Sequence, residues 1–500
     1  MPTPTFRRPR RGLVLGARNR LSGLDRRSLH QTDVVAQSVA VMAPCAAGAT
    51  IPMLIVESGS ALLWGVLSAI ALSALVAITL GEFASRLVAP GALYTYAAKG
   101  LGPVGGVVTA VAMVLGYGAL GVFAFSQTAF FLLRLFGVRD PTPGQLGVAV
   151  VAIGLVAGTT MIRGIRLSAR VGLITEAVAV AVMLGVIGLL LVRHAGELDP
   201  SAVIAPPGSA AKYCVGVALA TCGLIGFESA ATLSVEAQRP LRTVPAAIRI
   251  SLLIGSLVVL IAAVAQALGV SVLTAVAALS DGSFDTLAQA AGVRWVVPVV
   301  ELGITASFLA CAMATTTALA RTLMSLAREN LIPSRFGHTH PRFRTPAFGI
   351  RASIVVMLIV AGLATLSGAS AATLRGSMAA APSMGFIVAY VTVCVAAPFF
   401  LRQTSELRLR SLVMSVVAAA AFGAVLVVFV IASIHTERGP GVVAALVWFV
   451  LGAVIAAVLV RRRPRALAGI GIHETPIRGD VWSGHRAPVS TSAPRPPGRA

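Results

Sequence analysis

Residues 223–246 read G-L-I-G-F-E-S-A-A-T-L-S-V-E-A-Q-R-P-L-R-T-V-P-A, an apolar helix broken in its middle by Gly223 and Gly226. It resumes through Glu228 and ends at a basic turn holding Arg239, Pro240 and Arg242. No lipid can satisfy freed backbone groups or a carboxylate at bilayer depth, so such a break persists only where it lines a cavity inside a helix bundle. The segment therefore marks a binding site within a membrane protein and makes the chain a transport candidate.

Composition agrees. The 500 residues are 57% hydrophobic and 12% charged, with a mean hydropathy of +0.89, whereas soluble domains carry about 25% charged residues. Apolar runs of spanning length fall near 34–56, 60–81, 103–133, 145–162, 168–192, 213–235, 250–270, 295–320, 352–370, 377–401, 411–433 and 440–460, which predicts twelve membrane helices. The net charge of +22 invites a nucleic-acid partner, but the placement of the charges rejects one. With twelve spans both tails share a side, and that side carries 33 of the 40 Lys and Arg. The other side holds seven: Arg134, Arg139, Arg193, Lys212, Arg294, Arg375 and Arg438. This asymmetry is the positive-inside pattern and predicts cytoplasmic termini in a cell membrane, with contact to anionic lipid as a secondary effect. The use of 38 Arg against 2 Lys points to a GC-rich, bacterial source on compositional grounds.

Residues 1–33 read as a basic cytoplasmic tail. No apolar stretch of the ~7–15 residues a secretory signal needs lies between Arg11 and Asp33. Residues 34–461 form the membrane domain, and 462–500, rich in Arg, Pro and Ser, are expected to be a disordered cytoplasmic tail. The five cysteines (Cys45, Cys214, Cys222, Cys311 and Cys394) lie in or beside spans with neither disulfide nor zinc spacing. All seven histidines lie outside the spans, which argues against an intramembrane His metal site or proton relay. No metal centre and no cofactor are expected.

Span 1 is broken as well. It reads A-P-C-A-A-G-A-T-I-P, with Pro44, Gly48 and Pro52 at mid-depth, five spans before the break at Gly223 and Gly226. An odd offset inverts orientation, so spans 1–5 and 6–10 are expected to be inverted repeats with their broken helices facing each other. The connectors 91–103 and 284–292 occupy matching positions in the two halves.

Three carboxylates fall at membrane depth: Glu176 in span 5, Glu228 in span 6 and Glu301 in span 8. Each can carry a proton or face a cation, or merely hydrogen-bond a neighbouring helix; no Lys or Arg within the spans is expected to pair with them. Thr315, Thr316 and Thr317 form a hydroxyl run that can supply oxygens to a Na⁺ site, against the plainer role of bonding carbonyls four residues back. The pattern G-x-G-x-x-G occurs at Gly100/Gly102/Gly105 and at Gly116/Gly118/Gly121. A dinucleotide site needs it between a strand and a helix; at or inside an apolar span, close helix packing explains it better. No H-E-x-x-H, G-x-S-x-G or Walker loop is present, so neither hydrolytic chemistry nor ATP-driven pumping is expected.

Four segments together resemble the amino acid–polyamine–organocation permeases, whose fold is the LeuT-like inverted repeat. They are residues 81–103, the R-G-I-R-L-S-A-R turn at 163–170, the span 6 segment, and residues 320–346. The resemblance covers about 30–460. It implies an all-α polytopic membrane protein with a 5+5 inverted repeat plus two peripheral C-terminal helices, and secondary transport of an amino acid or related amine. By motif match the substrate would meet Ala43, Pro44, Cys45, Ala46, Ala47 and Gly48 in span 1, Cys222, Ile225, Gly226, Phe227 and Glu228 in span 6, and Cys311 and Thr315 in span 8. Glu176, Glu228, Glu301, Thr315 and Thr316 are the candidates for coupling to H⁺ or Na⁺. Free N–H groups after the span 1 break suit a carboxylate, and freed carbonyls suit an ammonium. The chain departs from the family at this spot. The usual Gly-Ser/Thr-Gly reads Ala46-Ala47-Gly48, the small Cys222 replaces a bulky aromatic, and the span 5 Lys of some proton-coupled members is absent.

Two substrate classes stay open: an amino acid, or a polyamine whose nitrogens are held by Glu228 and Glu301. A membrane-embedded enzyme or receptor would need catalytic pairs near a face or a soluble signalling domain, and neither is present. Cys45, Cys222 and Cys311, from three helices, are expected to face one cavity.

Overall fold

The computed structural model describes residues 24–47, 50, 62–138, 140–163, 165–193, 195–196, 208–272, 295, 297–369, 371–462, 467 and 469–471. Among these residues the protein is all helical. The helices are α1 (Gln31–Met42), α2 (Leu62–Ala84), α3 (Leu93–Leu135), α4 (Pro143–Arg163), α5 (Ile165–Arg193), α6 (Ala210–Cys222), α7 (Pro240–Val272), α8 (Val297–Arg328), α9 (Ala347–Leu366), α10 (Ala371–Gln403), α11 (Leu409–Ser433) and α12 (Gly439–Arg462). Ten segments are long and apolar enough to cross a membrane, α6 counted with the turns that continue it to Leu233. The other two expected spans are only partly matched. The second half of span 1, including Gly48 and Pro52, and the 284–292 connector lie outside the described residues, and the apolar part of α5 is the shorter stretch Glu176–Leu189.

Each break has a local cause. α1 opens with His30 as N-cap, whose N–H donates to Asp33 at 3.0 Å. It closes at Ala43, which is left-handed (φ 47°, ψ 62°), just before Pro44, whose ring disfavours continuing the α-helix at the residue before it. A 3₁₀ turn, Pro44–Ala46, follows. α6 stops at Cys222; the chain turns through Gly226 at φ 135°, open only to glycine, and resumes as a 3₁₀ segment, Phe227–Leu233. The breaks touch: a Cβ on Gly226 would lie 2.7 Å from the Met42 backbone nitrogen. In α3, Gly102 (φ 77°) and Pro103 split off the short N-terminal piece from the long helix behind it.

Small residues let the inner helices cross closely. Gly385 of α10 meets Gly116 of α3 backbone to backbone, so the second glycine motif is a packing surface between two helices. α11 and α12 lie at the rim: 28% and 17% of their most apolar windows are buried, against 83% for Ala210–Leu233. Leu467 and Ile470, expected in a disordered tail, are buried, and the Gly471 N–H donates to Glu329 at 2.8 Å. The described chain ends thus sit at one end of α8. There Leu29 and Ala237 form a parallel bridge, and buried Arg321 donates to Glu236 through Nε (2.8 Å) and Nη2 (3.0 Å). Two-pronged Arg–carboxylate geometry offsets the cost of removing both charges from water.

Candidate functional site

The two breaks open into a cavity of about 60 Å³. One wall is the α1 break, with Val41, Met42, Ala43, Ala46, Ala47 and Thr50. α6 contributes Leu219, Cys222 and Gly223. α3 adds Leu120 and Phe123, α8 Phe308 and Cys311, and α10 Ala379. Of the expected substrate residues, Ala43, Ala46, Ala47, Cys222 and Cys311 therefore line one cavity, and Gly48 lies outside the described residues.

The others stand behind it. Ile225 and Phe227 are buried, with the Phe227 ring stacked on Tyr390 at 5.6 Å. Pro44 and Cys45 belong to the 3₁₀ turn, and the Cys45 sulfur lies against Gly303 rather than in the cavity, because the turn rotates it toward α5 and α8. The expectation that three cysteines share the cavity thus holds for two of them. Cys311 donates its S–H to the Val41 carbonyl at 3.0 Å, and Thr315, 3.7 Å from that sulfur, is fully buried below it. Thr316 and Thr317 bond the carbonyls of Ala312 (2.6 Å) and Met313 (2.9 Å), the plainer of their two expected roles.

Each carboxylate has its own setting. Glu228 has no exposed surface and accepts from the Tyr117 hydroxyl (3.1 Å), the Tyr390 hydroxyl (2.9 Å) and the Gly226 N–H (3.0 Å). Three donors from α3, α10 and its own break hold it in place. Glu176 of α5 reaches the other break. Its Oε1 accepts from the Cys45 N–H and from the Ser307 hydroxyl (2.9 Å), and Ser307 in turn accepts from the Ala46 N–H (3.3 Å). Its Oε2 has no partner among the described residues. Two of the N–H groups expected to greet a substrate carboxylate are thus taken by the protein itself. Glu301 pairs with Arg134 of α3 at 3.0 Å; no Lys or Arg within the spans was expected to pair with it, and Arg134, placed just beyond the expected span 3, lies in the last turn of α3. The reason is position: both sit at the end of the bundle opposite Arg321, where a guanidinium can stay near water, and Arg134 also lies over the Phe130 ring at 5.8 Å.

Sequence reasoning did not single out Tyr117, Tyr390, Ser307, Leu120, Phe123, Phe308 or Ala379. The tyrosines had a signal, since a phenol inside an apolar span needs a hydrogen-bond partner and Glu228 was the carboxylate to hand. The apolar residues had none, because lining a cavity and filling a core select the same side chains.

A multi-pass helical membrane protein whose broken helices meet at an internal cavity is a membrane carrier by class. The match to a family model described as amino acid permease spans residues 35–460, and the chain is a transporter belonging to that family. It is 30% identical over 347 residues to an uncharacterized transporter of Mycobacterium tuberculosis, covering 67% of this chain and 71% of the other. At 25% identity it resembles a protein named cationic amino acid transporter 3, mitochondrial, of Arabidopsis thaliana (68% of this chain, 56% of that one). It is likewise 25% identical to a low-affinity putrescine importer of Escherichia coli (55% and 61%). These relatives are transporters, not enzymes.

Proposed function

We propose that this chain is a secondary active transporter that moves an amino acid across a bacterial cell membrane by alternating access, with both termini cytoplasmic and spans 1–5 and 6–10 acting as inverted repeats. The observation that carries the reading is the meeting of two helix breaks at one internal cavity. Backbone carbonyls released there can accept from an α-ammonium, while the N–H groups of Cys45, Ala46 and Ala47 are already engaged within the protein. The Arg321–Glu236 pair and the Leu29–Ala237 bridge close the cytoplasmic end, and Arg134–Glu301 ties α3 to α8 at the other. Alternation requires these ties to break in turn.

Glu176 is the coupling residue in this reading, because its buried Oε2 has no partner among the described residues and can take H⁺ or Na⁺ without disturbing the donors on Oε1. The polyamine alternative is favoured only by the putrescine importer among the relatives. Uptake of a radiolabelled amino acid panel plus putrescine into proteoliposomes, with imposed H⁺ or Na⁺ gradients, tests the proposal. Gradient-driven accumulation of at least one amino acid is expected; uptake of putrescine alone would select the alternative, and no uptake of either would end both.

A further inference from the structure

The cavity has two unlike walls. The α1 and α6 breaks bring polar backbone, with Cys222 at the end of α6 and Cys311 against the Val41 carbonyl, and the rest of the lining from α3, α8 and α10 is Leu120, Phe123, Phe308 and Ala379. If the cavity is the substrate site, as proposed above, the polar ends of an amino acid must lie against the breaks, which directs its side chain at the apolar wall. An ammonium or guanidinium there would find no counter-charge. Among the described residues no carboxylate lines the cavity; Glu228 and Glu301 have partners of their own, and Glu176, the coupling residue proposed above, lies behind the α1 break rather than in the lining. Glu228 is sealed behind Tyr117 and Tyr390, Glu301 is held by Arg134, and Glu176 faces the opposite side of the α1 break with Ser307. A buried charge without a partner is strongly disfavoured, whereas methyl and methylene groups gain from leaving water.

We infer that the substrate is a neutral amino acid with an aliphatic side chain, and not the cationic amino acid or diamine that the names of several relatives would suggest. The two cysteine sulfurs make the lining soft and adaptable, which suits an aliphatic group and offers nothing specific to a cation.

Competition against [³H]alanine uptake by the full-length protein in proteoliposomes tests this. Valine and unlabelled alanine are expected to compete at concentrations roughly 100-fold below those of arginine, lysine or putrescine. Equal or better competition by the cationic compounds would overturn the inference while leaving the carrier reading intact. If no amino acid or amine is taken up, the carrier reading and the inference fall together. As a second arm, Ala379→Val should cost valine about 10-fold in apparent affinity while glycine is retained, since single methylenes at such walls weigh that much. An unchanged valine-to-glycine ratio in a folded Ala379→Val protein would mean the side chain points elsewhere, and would also overturn the inference.

Discussion

The two helix breaks solve one problem in opposite ways. At the α6 break the carboxylate comes from the same segment: Glu228 takes the Gly226 N–H two residues back and is closed off by two tyrosine hydroxyls. At the α1 break it comes from another helix. Glu176 reaches across from α5, shares Ser307 of α8, and keeps Oε2 without a partner among the described residues. A saturated carboxylate holds a shape, whereas one with an unpartnered oxygen can exchange an ion. The proposal that Glu228 serves the architecture of the site and Glu176 coupling rests on this asymmetry, and it can be broken or sharpened by substitution.

The largest effect is expected at Gly226. Gly226→Ala forces a Cβ onto the Met42 backbone at a φ closed to alanine, a cost of about 3 kcal/mol or more. Folded yield and Tm should fall sharply; a melt within a degree or two of wild type would separate the two breaks and dissolve the comparison. Next, Glu176→Gln should abolish gradient-driven accumulation while substrate exchange continues, and should flatten the pH dependence of uptake. Retained accumulation would return the coupling role to Glu228.

Glu228→Gln replaces one acceptor with a donor that meets either the Tyr117 hydroxyl or the Tyr390 hydroxyl and the Gly226 N–H, at a cost of ~1–3 kcal/mol, so transport should drop about 10-fold with its pH profile between pH 5 and 8 unchanged. A change in that profile would invert the assignment of the two carboxylates. Replacing both Cys222 and Cys311 with Ala should remove substrate-protectable inhibition by a small thiol reagent, and Cys45→Ala should leave it in place, because only the first two line the cavity. The smallest effect has the opposite sign: Ala43→Gly should stabilise or leave Tm unchanged, since the left-handed conformation costs alanine about 1 kcal/mol that glycine avoids.

Much of the fold was legible because the bilayer makes sequence patterns strict. The apolar runs anticipate α2 through α4 and α7 through α12 to within about ten residues at either end, and Pro44, Gly223 and Gly226 mark where α1 and α6 stop. The site was legible only in part. Ala43, Ala46, Ala47, Cys222 and Cys311 line the cavity as the motif match implied, while Cys45, Ile225, Phe227, Glu228 and Thr315 support it from behind. A motif gives the position along a helix but not the rotation of a 3₁₀ turn, and that rotation sends the Cys45 sulfur to Gly303.

By itself the sequence determined that this chain is a membrane bundle with two broken helices, because hydropathy, proline and glycine act through the local backbone and through the lipid around it. Only the tertiary structure decided which carboxylate is saturated and which keeps an oxygen without a partner among the described residues. That depends on donors 111, 131 and 162 residues away in the chain, in Tyr117, Ser307 and Tyr390, whose approach is set by how helices pack and not by any pattern along one of them.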